Sequence, residues 1–464
     1  MQRIGILVVH GIGEQKRGEY LGSFVGNLKA ALDKEPWREP QQVDVAGSAQ
    51  EAVLLTWKKD TAGTPIEALC REVYWADLDT EMTVWRWLRL VIWALGMPGT
   101  RLFNQDKPGF CTPVPLTDWQ RLRVRAELFG VSLVFLILLG TVDVLYGVIQ
   151  FVSARESWLR WLTWLPLDWI KGKLRGIRAL FYNYLGDIKL YQDQTRRDSA
   201  TGELPRVAIQ KRMVEGLKRM AVDPGIEHYL VVGHSLGSVV AYNGLMECDN
   251  RDELLAKCQG FLSLGSPLNK FAAIWPGIVP INSTAPTNPI PWVNVADVQD
   301  IVAGKTHLFQ PCQNTSSIGG LIDGLAGGKR DFEWGDQRVL VTAHMSYWAA
   351  RPEGKPRLID RLIPWLEGGA LIPPEHNLSP ILGKVIYVAS LVGGGAVLMW
   401  IFSTLAWVFW RLFSPGWLPV LQGGYIAEVC FVAKFFLVLG VLIILAASGI
   451  LWGYQTYQER RGLR

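Results

Sequence analysis

The chain carries, at residues 231–237, the sequence Val231-Val232-Gly233-His234-Ser235-Leu236-Gly237. An apolar stretch ends there, and a stretch of helical composition, Leu236–Glu247, begins there. The pattern G-x-S-x-G between a buried strand and a helix is typical of a sharp turn that raises the serine above a sheet. Glycine is expected at both outer positions because such a turn leaves no room for side chains there. The free N–H groups at the start of the helix would favour an anion beside Ser235.

Around this turn, short apolar segments alternate with helical ones. The predicted strands are Ile4–Val9, Val53–Trp57, Val73–Trp75, Tyr229–Val232, Gly260–Leu264, Trp292–Val295 and Val339–Thr342. The predicted helices are Tyr20–Leu32, Ala208–Ala221 and Leu236–Glu247. Apolar strands that alternate with helices indicate a mostly parallel sheet covered by helices, so the fold class is α/β.

A second motif, Val9-His10-Gly11-Ile12-Gly13, follows the first predicted strand. Acyl transfer requires two N–H donors at the developing oxyanion, and loss of one donor costs about 2.7–4 kcal/mol. We expect one donor from Leu236 and the other from the loop after His10, with Ile12 the favoured residue. His10 and Gly11, like Gly233 and Gly237, would support this site. A phosphate-binding loop is the alternative, but neither G-x-G-x-x-G nor G-x-x-x-x-G-K-[ST] is present.

Three segments carry a resemblance to a known family: VVHGIG, GHSLGS and LGSPL, the last at Leu264–Leu268. Together they resemble the α/β-hydrolase superfamily in its lipase-like serine-esterase branch. The resemblance covers about residues 1–80 and 220–365, and its motifs indicate the superfamily but no particular substrate. It implies a catalytic triad in the chain order serine, acid, histidine, with Ser235 as the nucleophile.

The resemblance places the acid beyond the strand Trp292–Val295, where Asp297 and Asp300 both lie. Asp300 is favoured because Asp300-Ile301-Val302 is similar to the family's acidic residue ahead of a small apolar pair. Asp297 remains the alternative, and the aspartate without the catalytic role would serve a turn or a helix cap.

For the base, the resemblance favours His344 over His307. The segment Thr342–Trp348 follows a predicted strand and resembles the family's late histidine loop. His234 adjoins the nucleophile and is expected to project away from it. In the implied mechanism the base takes the proton of Ser235, and water or an acceptor alcohol resolves the acyl-enzyme.

Composition indicates that part of the chain is embedded in a membrane. Charged residues make up 19% of the chain and the mean hydropathy is +0.16, whereas soluble domains carry about 25% charge. This composition excludes a disordered chain. A bilayer core needs about 20 apolar residues as helix. Val385–Trp410 and Phe435–Gln458 carry no charge and predict a C-terminal transmembrane hairpin. Leu128–Ala154 contains Asp143, so a buried or interfacial helix remains its alternative.

Tryptophan marks further contact with a membrane. Of 21 Trp, 12 lie in Val84–Leu95, in Trp158–Ile170, in Trp400–Trp417 or at Trp452, and aromatic rings of this kind suit the headgroup level. The oxyanion loop and Ser235 must share one side of the membrane, so the chain between them crosses an even number of times. Either one of the first two segments is a partner crossing, or Leu128–Ala154 enters and returns.

The predicted organisation therefore has four parts. Residues 1–80 form the first part of the hydrolase domain, 81–220 a helical membrane-associated insertion or lid, 221–370 the second part of the hydrolase domain, and 380–458 the hairpin anchor. Lys and Arg flanking the spans place the catalytic portion and both termini in the cytoplasm of a multi-pass cell-membrane protein.

The same features limit the partners. The six cysteines are scattered and indicate neither a disulfide framework nor a zinc site, and no metal or cofactor is expected. A net charge of +5 is explained by membrane-flanking cations, so nucleic acid is not an expected partner. The expected partners are the lipid bilayer and a lipid or acyl-ester substrate. The expected function is a membrane-anchored serine hydrolase of carboxylic esters. The alternatives are an inactive scaffold of the same fold and an acyltransferase with the same triad.

Overall fold

A computed structural model of the chain describes part of its sequence. The described residues are 2–11, 16–45, 52–78, 172, 186–192, 202–268, 270–271, 278–279, 290–297, 300, 302–303, 331–334, 344, 347–348 and 358–368. The chain divides into two compact units, of which the first comprises Met1–Arg125 and Asn183–Asn377. The second comprises Ala126–Tyr182 and Leu378–Arg464, where residue 172 is the one described position.

The first unit is built on an eight-stranded sheet in the order β2-β3-β4-β1-β5-β6-β7-β8. From β4 to β8 all neighbouring strands are parallel, whereas β2, β3 and β4 pair antiparallel at one edge. The strands are β1 Gln2–Val9, β2 Gln41–Asp44, β3 Ala52–Lys58, β4 Pro65–Val73, β5 His228–His234, β6 Cys258–Leu264, β7 Trp292–Asp297 and β8 Asp331–Trp334. The chain is thus an α/β protein with a mostly parallel mixed sheet.

Helices lie on both faces of this sheet. The helices are α1 Glu19–Leu32, α2 Pro205–Val222, α3 Leu236–Glu247, α4 Arg251–Leu255 and α5 Leu358–Leu366, with short 3₁₀ turns at Pro36–Arg38 and Ala76–Leu78. The apolar stripe of α1 packs with α5 and with alternate residues of the central strands in one buried cluster. On the other face, Gly216 of α2 lies over Leu7 of β1, and α3 packs against α2.

The parallel centre of the sheet is confirmed as predicted, with β1, β5, β6 and β7 each found within two residues of their expected bounds. The predicted strand Val53–Trp57 is found as β3, which pairs antiparallel with its neighbours. The predicted strand Val73–Trp75 is wrong, because the strand there is Pro65–Val73 and Trp75 lies beyond its end. The strand Pro65–Val73 was not predicted because the charged Glu67 interrupts its apolar run. Arg3 Nε of β1 donates a 2.6 Å hydrogen bond to Glu67. The edge strand β2, fully exposed and polar, was likewise not predicted.

The predicted membrane segments lie outside the described residues, as does the predicted strand Val339–Thr342. Within the described ranges, every helix is too short or too polar to cross a lipid bilayer. Helix α2 begins inside the predicted insertion of 81–220 and ends just beyond it, and it packs against β1, β4 and α3 of the first unit.

Candidate active site

Ser235 occupies the sharp turn between β5 and α3. Its backbone has φ 53° and ψ −130°, a region that costs a non-glycine residue about 1–3 kcal/mol and that surrounding structure must enforce. Two hydrogen bonds hold the backbone in this conformation. The Ser235 N–H donates to the Leu264 carbonyl at 2.9 Å, and the Ser235 carbonyl accepts from the Ser238 hydroxyl at 2.5 Å. The serine therefore stands at the carboxyl end of a central strand and directly before a helix N-terminus, as its sequence motif predicted.

The two glycines of the motif are required for different reasons. A Cβ at Gly233 would lie 2.7 Å from Cα of Ser238, so this glycine is needed by the turn itself. A Cβ at Gly237 would lie 2.3 Å from the His10 carbonyl oxygen and 2.4 Å from that of Val9. Gly237 thus lets α3 approach the end of β1. The turn alone, which we expected to explain both glycines, explains only the first.

Three side chains from distant positions form a continuous hydrogen-bond chain. His344 Nε2 lies 2.8 Å from Ser235 Oγ, and His344 Nδ1 lies 2.8 Å from Asp300 Oδ2. An ionised carboxylate can only accept, so Nδ1 carries the proton and Nε2 is free to accept from the serine hydroxyl. All three residues are buried. The structure thus brings together the predicted nucleophile, base and favoured acid, while His307 lies outside the described residues.

Asp300 is held by more than His344. Its Oδ2 also accepts from the Tyr347 hydroxyl at 2.8 Å, and its Oδ1 accepts from the N–H groups of Val302 and Ala303 at 2.8 and 3.1 Å. Burial alone would raise the pKa of this carboxyl, but the His344 ring and these donors bring it below its ordinary value. The carboxylate is therefore charged although its side chain is fully buried.

Tyr347 also separates the roles of the two candidate aspartates. Its hydroxyl accepts from the Asp297 backbone N–H at 2.9 Å while donating to Asp300. Burial and the neighbouring Asp300 charge raise the pKa of Tyr347 well above its ordinary value, so the hydroxyl keeps its proton to donate. Asp297 ends β7 and reaches this cluster through its main chain.

Gly265 makes room for the acid and the base. It follows β6 with φ +57°, and a Cβ there would lie 3.0 Å from His344 Nδ1 and 3.1 Å from Asp300 Oδ2. A side chain would enter the His344–Asp300 hydrogen bond. Sequence reasoning quoted Gly265 within LGSPL but gave it no role, and it quoted Tyr347 beside His344 without a role. The available signal was their place inside motifs already singled out.

The described start of the predicted oxyanion loop, at Gly11, lies directly against the serine. A Cβ at Gly11 would lie 2.7 Å from Cβ of Ser235, so the main chain at this point touches the nucleophile. Ile12 itself lies outside the described residues. Leu236 is the first residue of α3, so its N–H belongs to the helix-end groups that have no partner within the helix.

His10 fixes the start of this loop. Its Nε2 accepts from the Trp75 backbone N–H at 3.1 Å, and its Nδ1 donates to the Gly11 carbonyl at 2.7 Å. The His10 ring also stacks on the Trp75 ring at 4.9 Å. Burial lowers the pKa of His10 to about 4, so the ring is neutral and supports both bonds. His10 is part of the scaffold around the serine.

Nothing in this arrangement resembles a metal centre. In the part of the chain that the structure describes, no three His, Cys, Asp or Glu side chains converge in a way that could hold an ion. No protein-family model, no curated protein and no solved structure matches this chain. We therefore infer the function from the geometry of the site itself.

Proposed function

We propose that this chain is a membrane-anchored serine hydrolase of α/β-hydrolase architecture that cleaves carboxylic ester bonds, with lipids or other acyl esters as substrates. The hydrogen-bond chain from Ser235 through His344 to Asp300, with distances of 2.8 Å at both steps, carries this proposal. Its support is that a nucleophile, a base within hydrogen-bond reach and a group that orients the base are what acyl transfer by serine requires.

In the proposed reaction Ser235 Oγ attacks the ester carbonyl while its proton moves to His344 Nε2. The imidazolium that forms lies beside the Asp300 carboxylate, which stabilises it and keeps Nδ1 protonated. The oxyanion accepts from the Leu236 N–H and from the loop after Gly11. The leaving alkoxide takes the proton from His344, and the base then activates water to release the acid from Ser235.

An inactive scaffold with the same fold is the less favoured reading. The strained backbone of Ser235 carries a cost in stability. A protein without catalytic function would gain by losing this strain. The strain is present here, together with the hydrogen bonds that hold the Ser235 backbone.

The membrane part of the proposal rests on the sequence. Val385–Trp410 and Phe435–Gln458 contain no charged residue and are each long enough to span a bilayer. Basic residues flanking the spans favour a catalytic portion on the cytoplasmic side. An enzyme held at this surface would meet substrates that partition into the same membrane.

Labelling with a fluorophosphonate probe, together with hydrolysis of p-nitrophenyl esters, tests the proposal on the full chain in detergent or vesicles. We expect wild-type protein to be labelled on Ser235, and Ser235→Ala to lose both labelling and hydrolysis. Ser23→Ala, which changes an exposed serine on α1, is the matched control and should behave as wild type. Hydrolysis by Ser235→Ala at the wild-type rate would refute the proposal. Adding glycerol and following the acyl group distinguishes transfer to an alcohol from transfer to water.

A further inference from the structure

His234, the residue before the nucleophile, faces the base. It ends β5 and is buried. Its Nε2 donates to the backbone carbonyl of His344 at 3.0 Å. Its ring also lies on the His344 ring, with centroids 5.0 Å apart and planes inclined by 28°. The side chain therefore contacts the base through both its Nε2–H and its ring.

Other aromatic residues hold the His234 ring in this position. The Tyr20 ring of α1 stacks on it at 5.9 Å and 9°, and the Tyr347 ring meets it at 5.8 Å and 62°. Its Nδ1 lies against the main chain of Gly11, where a Cβ would be 3.3 Å away. His234 therefore contacts the oxyanion loop, the base and the residue that holds the acid, and Tyr20 anchors it to a helix of the core.

We infer that His234 is a positioning residue: its Nε2–H, donated to the His344 carbonyl, holds the His344 imidazole in line between Ser235 and Asp300. This inference rests on the proposed function, because it gives His344 the part of the base. His234 touches no substrate in this role. It acts on the reaction only through the orientation of His344.

The chemistry of His234 suits this task. A carbonyl acceptor at Nε2 requires that Nε2 carries the proton, which fixes one tautomer. Burial, followed by repulsion from His344, lowers the pKa of His234 to about 3. Asp300 and His10 are the other ionisable groups that affect its pKa, one raising it and the other lowering it. A neutral ring is needed here because His344 becomes a cation during the reaction, and a second cation 5.0 Å away would oppose that step.

Three substitutions separate the hydrogen bond from the space that the ring fills. In His234→Gln the amide nitrogen takes the place of Nε2 and can still donate to the His344 carbonyl. His234→Phe keeps a stacked ring and loses the donor, and His234→Ala loses both. A small misplacement of a reacting group lowers rates by about 100-fold. We therefore expect kcat to fall roughly 10- to 100-fold in His234→Phe and His234→Ala, with KM within about twofold of wild type.

The decisive comparison is between His234→Gln and His234→Phe. We expect the Gln variant to keep about a third or more of wild-type kcat and of the fluorophosphonate labelling rate. The labelling rate is scored on folded protein, with the unfolding midpoint measured for each variant. Equal rates for the Gln and Phe variants would overturn the inference, and so would rate losses that follow only the unfolded fraction. If wild-type protein is not labelled at all, the proposed function fails; if wild type and His234→Phe are labelled equally, only the role of His234 fails.

Discussion

Replacing Asp300 by Asn tests the proposed acid, because no orientation of the amide can reproduce the carboxylate's hydrogen bonds. The Oδ2 position accepts from His344 and Tyr347, and the Oδ1 position accepts from two backbone N–H groups. An amide NH₂ at Oδ1 would face two donors. At Oδ2 it would face His344 Nδ1 and force the imidazole into the wrong tautomer, with its proton on Nε2. Loss of the correct tautomer lowers kcat about 10⁴-fold, which corresponds to about 5 kcal/mol of activation free energy.

Asp297→Asn is the matched control for this measurement. Asp297 is three residues away and also buried, and it contacts Tyr347 through its backbone N–H, which the substitution leaves in place. We expect kcat for p-nitrophenyl ester hydrolysis to fall at least 1,000-fold in Asp300→Asn on the basis of the tautomer effect and less than tenfold in Asp297→Asn. Asp300→Asn with more than a tenth of wild-type kcat, or an equal loss in both variants, would refute the assignment of the acid.

Two further outcomes follow from the buried surroundings of the site. Gly265→Ala is expected to lower the free energy of unfolding by about 1–3 kcal/mol and kcat more than tenfold. Its φ of +57° and the 2.8 Å approach of its Cβ to the Tyr347 ring both oppose a side chain. Gly22→Ala on α1, where a Cβ meets nothing within 4 Å, should leave kcat near wild type and should not lower stability, because alanine favours a helix. Stability should also fall on acidification. His10 and His234 have folded pKa values of about 4 and about 3 against about 6.5 unfolded, so below pH 6.5 the unfolded state binds more protons. The loss is about 2 kcal/mol for each residue at pH 5 relative to pH 7.5. Urea unfolding at the two pH values measures it, and His234→Gln should remove about half of this difference; an equal difference in that variant would contradict the sign or the size of the effect.

Local patterns were sufficient for the centre of the sheet and for the turn at Ser235. Apolar runs such as Ile4–Val9 are readable because both faces of a parallel strand are buried. The strands β2 and β4 could not be predicted from apolar runs, because β2 is exposed and β4 carries Glu67 and Arg71 among its apolar residues. Strand β8 and helix α5 were not predicted either. Helix α5 contains Pro364, a residue that is not typical of a helix interior.

The candidate site shows the same division. Motifs singled out Ser235 and its glycines, and with the family resemblance they ranked Asp300 above Asp297 and His344 above His307. Neither ranking could be made from distances, because Ser235 and His344 are 109 positions apart in the chain and His344 and Asp300 are 44 apart. The roles of Tyr347 and Gly265 depend on contacts that no spacing rule describes.

The amino-acid sequence alone specified an α/β chain with a serine on a strand–helix turn, because strand, turn and helix propensities act over a few residues. It also specified the charge-free C-terminal segments. Folding specified the partners: which aspartate meets His344, why Gly237 must lack a side chain, and that His234 faces the base. These depend on packing between β5, β6, β7 and the residues that follow them, where buried polar groups must find donors and acceptors from distant parts of the chain.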